Sequence, residues 1–345
     1  PALDAMRAAV KADGKELNLR LQAADLYSKA EQYEDALAEV VAAAPLTTTP
    51  EEREQVLVKE LRTLASLERL TKTADEMGKT LATAAKPAST DWYRYARFLE
   101  ADQKPNDALV AIGKCLVIEP GFIPGLATQA RLHEAAGAFA EAANVNRALA
   151  NLDRRYRTEY LTAVSRLEAR LGRKEAAIQA ARDVIASAPG APEHYESLAQ
   201  LCFQLGEKEQ GLDALRRLVR ANPAEPKHLV TLAQALSDQG TVDEAQQLFW
   251  QAFEKTSGLD DRLPIVTSLT NAYLVTAQWD KLLERLERLR RESQDPRDMT
   301  ICLAQAHQAA GDIATARTEL ETLFSPDTRD TQLLQQLSTL SENDG

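Results

Sequence analysis

The sequence is poor in the residues that most often carry chemistry. Three cysteines, Cys115, Cys202 and Cys302, form no C-x-x-C pair, which excludes a thiolate zinc cage and a disulfide framework. They read as reduced, buried thiols, which favours the cytoplasm and leaves the periplasm open. There are only 4 histidines, and nowhere do two stand four apart with a glutamate between them, as a zinc hydrolase needs. No apolar run approaches the roughly 18 residues that cross a bilayer, and no basic-then-apolar leader opens the chain. Positive charge is outweighed: 41 basic against 52 acidic residues give a net charge of −11. That excludes the broad cationic footprint of nucleic-acid binding and gives no reason to expect direct membrane contact. Glycine and proline number 14 each in 345 residues, too few for a collagenous or proline-rich chain.

What is present is helix-forming material. Ala, Leu, Glu and Arg abound and apolar residues make up 44% of the chain, enough for a packed interior. At this length one core is rarely enough, so several domains or a stack of small units is expected.

A search for internal repeats resolves the choice. Sliding "WYRYARFLEADQKPNDALVAIGKCLVIEP" (Trp92 to Pro120) along the chain aligns Ala108 with Ala142, Ala177, Gly211 and Ala245, at steps of 34, 35, 34 and 34. Backwards the same slot is Ala74 and Ala36; forwards it is Leu282 and Ala316. Nine units result. Twelve residues before the marker stands a small residue in most units: Ala24, Ala96, Ala130, Ser165, Ala199, Ala233 and Ala304. Five before it glycine recurs, at Gly137, Gly172, Gly206, Gly240 and Gly311, and twelve after it a proline stops the unit at Pro120, Pro189 and Pro223.

These letters describe a helical hairpin. Two antiparallel helices approach to about 8 Å only where the facing side chains are small. Glycine supplies the left-handed residue that ends the first helix, and proline cannot continue the second. One hairpin buries too little by itself, so neighbours must stack to complete the core.

With Trp92, Ala96, Leu99, Ala108 and Pro120 in one unit and Tyr195, Leu198, Ala199, Gly206, Leu218 and Pro223 in another, the chain resembles the tetratricopeptide repeat (TPR) family. The resemblance implies an all-α, right-handed solenoid of stacked antiparallel hairpins, over residues 1–345 as a single array. Two units depart from the pattern. The one around Ala74 has Arg62 in the small-residue slot, and the one around Leu282 has leucine at the marker and Ala277 in place of the turn glycine. Irregular packing and a change of curvature are expected at both.

The frame also overruns both ends. Residues 1–16 read as the second helix of a truncated repeat and 17–328 as about nine repeats. Residues 329–345, containing "DTQLLQQLSTL", read as the first helix of another truncated repeat or as a capping helix. A slice of a longer protein is the expectation.

Catalytic signatures fail one by one. "TADEMGKT" (Thr73 to Thr80) ends like a phosphate-binding loop but begins with threonine where glycine is required, and it falls on a second helix. "HEAAG" (His133 to Gly137) recurs as "HQAAG" from His307. The supposed general base is not kept, so both copies read as the hinge end of a repeat with a packing histidine. His194 and His228 share the third position of adjacent units, near Glu193 and Glu196. A metal could bridge them, but solvent-exposed histidines are the plainer reading. Carboxylates scatter without a pair suited to acid–base work, and Arg285, Arg288, Arg290 and Arg291 read as the outer face of a second helix. No catalytic residue, metal or cofactor is expected.

The resemblance implies that first helices line an inner face, with positions 2, 5, 6, 9, 12 and 13 pointing into it. Position 9 is Arg97, Arg131, Arg166, Gln200, Gln234, Asn271 and Gln305. Amides can bond the backbone of an extended peptide and arginines can fork onto carboxylates, although polar residues are also what any exposed helix position carries. Tyr93 and Phe203 would add apolar anchors. The family's carboxylate clamp of lysines and asparagines is not reproduced in the first unit, which has Asn18 and Asp25.

The expected function is a non-catalytic scaffold that binds an extended or helical segment of a protein partner, with self-association through end helices as a further route. Two alternatives stay open: the substrate-selecting arm of a larger enzyme such as a glycosyltransferase, and a periplasmic assembly scaffold of an envelope or polysaccharide-export machine.

Overall fold

The computed structural model describes residues 2–294, 296–324 and 337. Most of the segment expected to form a closing helix lies outside the described residues. Those described are helices and short turns, without strands. The helices are α1 (Ala2–Ala12), α2 (Leu17–Lys29), α3 (Tyr33–Ala43), α4 (Pro50–Ser66), α5 (Leu70–Thr83), α6 (Ser89–Ala101) and α7 (Pro105–Ile118). Next come α8 (Ile123–Ala135), α9 (Phe139–Leu152), α10 (Arg157–Arg170), α11 (Lys174–Ser187), α12 (Pro192–Gln204) and α13 (Lys208–Ala221). The last are α14 (Pro226–Asp238), α15 (Val242–Lys255), α16 (Leu259–Val275), α17 (Trp279–Glu292), α18 (Arg297–Ala309) and α19 (Ile313–Glu321).

The chain divides into two compact units, Pro1–Ala177 and Ile178–Gly345. In the first, α2 packs on α3, α6 on α7, α8 on α9, and α9 on α10. In the second, α12 packs on α13, α14 on α15, and α18 on α19. Apart from α9 with α10, which belong to successive hairpins, each of these couples is a helix, a tight turn and a returning helix, and the small residues sit where the helices cross. All nine marker residues, from Ala36 through Gly211 and Leu282 to Ala316, are buried. So are the small residues facing them: Ala24, Ala96, Ala130, Ser165, Ala199, Ala233 and Ala304. Sequence periodicity thus becomes close helix contact for a steric reason, since a methyl or hydroxymethyl group is what fits between the two backbones.

One turn geometry repeats nine times. The residue after the left-handed position donates its N–H to the carbonyl five residues back, as in Ala138 to His133 at 2.8 Å and Asp312 to His307 at 2.9 Å. This bond closes a helix that ends in a left-handed residue. Five turns place glycine there, such as Gly137 at φ 75°. The other four use Glu31, Glu68, Gln103 and Ala277, at φ between 54° and 61°. His133 and His307 therefore accept through their carbonyls at the hinge. The His307 ring is also packed edge-on against Trp279 of the preceding hairpin, 5.5 Å between centroids.

The two irregular units have separate causes. At α4 and α5 the left-handed residue, Glu68, lies six residues before the marker Ala74 instead of five. Read from that turn, the buried Leu61 takes the small-residue slot and Arg62 points to solvent. The apparent mismatch at Arg62 was a one-residue register error. A leucine at the crossing keeps the α4 and α5 backbones apart, and the pair meets through side chains in a core of Leu57, Leu61, Leu64, Leu70, Ala74 and Phe98. At α16 and α17, Leu282 faces the buried Thr270, whose hydroxyl is satisfied by the Val266 carbonyl at 2.9 Å. With that bulk at the crossing, α16 packs more on α15 and α18 than on α17.

Candidate functional site

The first unit holds a groove of about 1230 Å³ walled by the first helices α4, α6, α8 and α10 and by the turns that lead into α8 and α10. Its floor follows the repeat: Thr90, Tyr93, Arg94 and Arg97 from α6 stand at positions 2, 5, 6 and 9, and Pro124, Ala127, Thr128 and Arg131 from α8 at the same four. Three of the residues expected from sequence, Tyr93, Arg97 and Arg131, are thereby brought into one site.

The arginines are already engaged. Arg97 pairs with Glu54 of α4, and its Nε lies 3.3 Å from Glu100. Arg131 donates to Glu100 at 2.8 Å, and Arg166, on α10, donates to Glu134 at 3.0 Å. The last two contacts are one motif, a position-9 arginine reaching the position-12 glutamate of the preceding first helix. Arg94 reaches the buried Glu60 at 2.5 Å; burial holds that carboxyl above the usual range although Arg94 opposes the rise. Guanidinium charge in the groove is thus largely neutralised by the protein's own carboxylates, while the half-exposed Arg131 and Arg166 keep outward-facing surface.

Tyr93 donates its hydroxyl to Glu54 at 2.6 Å and accepts from Arg97 at 3.0 Å. Burial, reinforced by the Glu54 hydrogen bond, pushes the phenol up to about 12. Its ring meets Phe122 edge-on at 5.3 Å. Tyr156 and Tyr160 complete the aromatic lining.

Position 9 alone misses Phe122, Tyr156, Glu119 and Asp153. They have a signal of their own, an acid followed three residues later by an aromatic, as "EPGF" (119–122) and "DRRY" (153–156), with a spacing of 34. Glu119 and Asp153 end α7 and α9; Phe122 and Tyr156 are the residues just before α8 and α10. Gly125 leaves room for the Phe122 ring, which a Cβ there would meet at 3.0 Å.

The remaining expected residues lie in the second unit. Gln200 and Asn271 are exposed. Gln234 bonds Asp238 at 2.9 Å and Gln305 bonds Thr267 at 3.0 Å. Phe203 lies against its own hairpin at Gly211, where a Cβ would come within 2.5 Å of the ring. That contact explains why this unit alone has glycine at the marker.

The histidine pair differs from expectation. His228 is buried, with Nδ1 3.8 Å from Glu196 Oε1, and is not solvent-exposed. Among the described residues no group of three or more His, Cys, Asp or Glu side chains could hold a metal ion, and no helix is long and apolar enough to cross a membrane.

No protein-family model matches the chain, and no curated protein matches its sequence. Solved structures with similar helical arrays include the MamA protein, at 20% identity and TM-score 0.35 over 48% of this chain and 91% of that one. A tetratricopeptide repeat protein from Parabacteroides merdae matches at 12% identity and TM-score 0.35 over 73% and 98%. A structure of Naa15/Naa10 bound to HypK-THB matches at 13% identity and TM-score 0.41 over 99% of this chain and 58% of that one. At that level of likeness the fold rests on the hairpins themselves: the 34-residue period, the buried small-residue crossings and nine identical turn closures. They define an all-α array of the tetratricopeptide-repeat type.

Proposed function

We propose that the protein is a non-catalytic interaction scaffold whose first-unit groove takes up a segment of a partner protein. The groove carries this reading. It combines four aromatic rings with aliphatic surface from Val56, Leu57, Ile123 and Ala127, and its polar groups are mostly tied to one another. Such a surface offers burial to apolar side chains, which is the main source of affinity. Its carboxylates Glu54 and Glu60 are held by Arg97 and Arg94. Arg131, Arg166 and the second-unit amides Gln200, Gln234, Asn271 and Gln305 are further candidate contacts.

The test is selection of dodecapeptides by phage display on the whole protein, followed by titration of the enriched sequences against Ala127→Trp, which fills the groove floor. Enriched peptides that lose at least tenfold in affinity to the variant support the reading. Peptides that bind the variant equally well, or no enrichment at all, refute it.

A further inference from the structure

The charged groups of the groove wall form a chain of contacts that runs from one first helix to the next. Glu54 of α4 takes both the Tyr93 hydroxyl, at 2.6 Å, and the Arg97 guanidinium from α6. Arg97 lies 3.3 Å from Glu100 on its own helix, and Glu100 in turn accepts from Arg131 of α8 at 2.8 Å. Glu134 of α8 then accepts from Arg166 of α10 at 3.0 Å. Four successive first helices are thus tied along the groove side by carboxylate–guanidinium rungs.

The close backbone packing lies elsewhere. Helix α8 is packed on α7 and α9, and α10 on α9, so each hairpin is anchored to its neighbour through a second helix. The groove side can therefore yield while the second helices hold, and the rungs oppose that motion. Within each rung the acid is the better covered partner: the Glu100 and Glu134 side chains are 18% and 30% exposed, against 53% and 51% for Arg131 and Arg166. Charge this open to solvent is screened by ions, since the Debye length falls from about 30 Å at about 0.01 M salt to about 3 Å at about 1 M. Position 9 of the second unit carries neutral amides, Gln200, Gln234, Asn271 and Gln305, whose hydrogen bonds are not subject to that screening.

We propose that the rungs are a salt-sensitive clamp that sets how far the first helices of this unit open around the groove. At low ionic strength each carboxylate draws the next first helix in. As salt rises the pairs weaken and the groove side loosens, by the small amount that part-exposed ion pairs supply. Loosening uncovers the rings and aliphatic side chains of the groove. As regulation of that site the clamp rests on the reading of the groove as a docking surface, and it is tested without a partner.

The experiment is photo-generated carbene footprinting of the whole protein, read by mass spectrometry at about 0.01 M and about 1 M sodium chloride. Labelling of the groove residues Tyr93, Phe122 and Tyr160 should rise about twofold to fivefold with salt. Labelling of Val110 and Val117, exposed on α7, should stay constant. Glu100→Gln combined with Glu134→Gln should raise groove labelling already at low salt and abolish the response to salt. Arg166→Lys, which keeps the charge, should retain it. For the rung between α8 and α10, Glu134→Gln, Arg166→Gln and the double variant should label alike at Tyr160, because either change breaks the same contact. No salt response in the unmodified protein, a response that survives Glu100→Gln with Glu134→Gln, or an equal rise at Val110 overturns the proposal. A groove that responds to salt as expected but selects no peptide would keep the clamp and remove the docking reading.

Discussion

Replacing Gly211 by alanine should destabilise the second unit, although alanine is the better helix former and stands at this slot in seven of the other eight hairpins. In an unconstrained helix the change gains about 1 kcal/mol. Here the new Cβ would lie 2.5, 2.8 and 2.9 Å from three atoms of the Phe203 ring, an overlap of the kind that costs about 1–3 kcal/mol. The net expectation is a loss of about 0–2 kcal/mol. With Phe203→Ala already in place the clash is gone, and Gly211→Ala should then stabilise by about 1 kcal/mol. The cycle thus predicts a coupling of about 1–3 kcal/mol between two residues in direct contact. Repeat arrays open in parts, so the quantity to measure is hydrogen exchange of α13 amides by mass spectrometry, with urea midpoints alongside. Additive effects, or a stabilising Gly211→Ala in the unmodified protein, would show that Phe203 does not rest on this helix. It would then be free to act as the apolar anchor suggested by its repeat position.

Three further outcomes follow from the same geometry. Ala277→Gly should raise the urea midpoint by an amount worth up to about 1 kcal/mol, because alanine at φ 54° is in the left-handed region that glycine occupies without strain; a lower midpoint would count against the turn geometry. Arg131→Glu combined with Arg166→Glu should change stability by no more than about 1 kcal/mol per exposed pair and weaken display-selected peptides more than tenfold; unchanged affinity would move the site elsewhere. The Tyr93 phenol, raised from 10.0 to about 12, favours the folded state below pH 10, and that contribution is lost as pH climbs from there through its folded value. Tyr93→Phe should therefore unfold less steeply over that alkaline range, and parallel curves by circular dichroism would contradict the burial of the phenol.

Much of the fold was legible because it depends on steric minima. A crossing that tolerates only small side chains writes alanine, serine or glycine at fixed intervals, and all nine marker slots are buried as the period implies. The α4–α5 turn was misread by one residue for an equally physical reason. Its left-handed residue is Glu68, and a glutamate gives no outward sign of that conformation, so register was carried from the marker alone and assigned Arg62 to the crossing. The groove was half visible. Repeat position 9 led to Arg97 and Arg131, but the carboxylates that engage them, Glu54 and Glu100, depend on how adjacent hairpins stack. Phe122 and Tyr156 escaped notice because they precede the helices, outside the positions that amphipathic reading inspects.

The central claim, that the groove between the first helices receives a partner, is tested most directly by site-specific photo-crosslinking. A benzoylphenylalanine at Ala127, on the groove floor, is compared with one at Val110, which is 62% exposed on the outer helix α7 of the same unit. With a display-selected peptide, the account predicts crosslinking at Ala127 that unlabelled peptide competes away, and none above background at Val110. Equal labelling at the two positions, or labelling only at Val110, would contradict it.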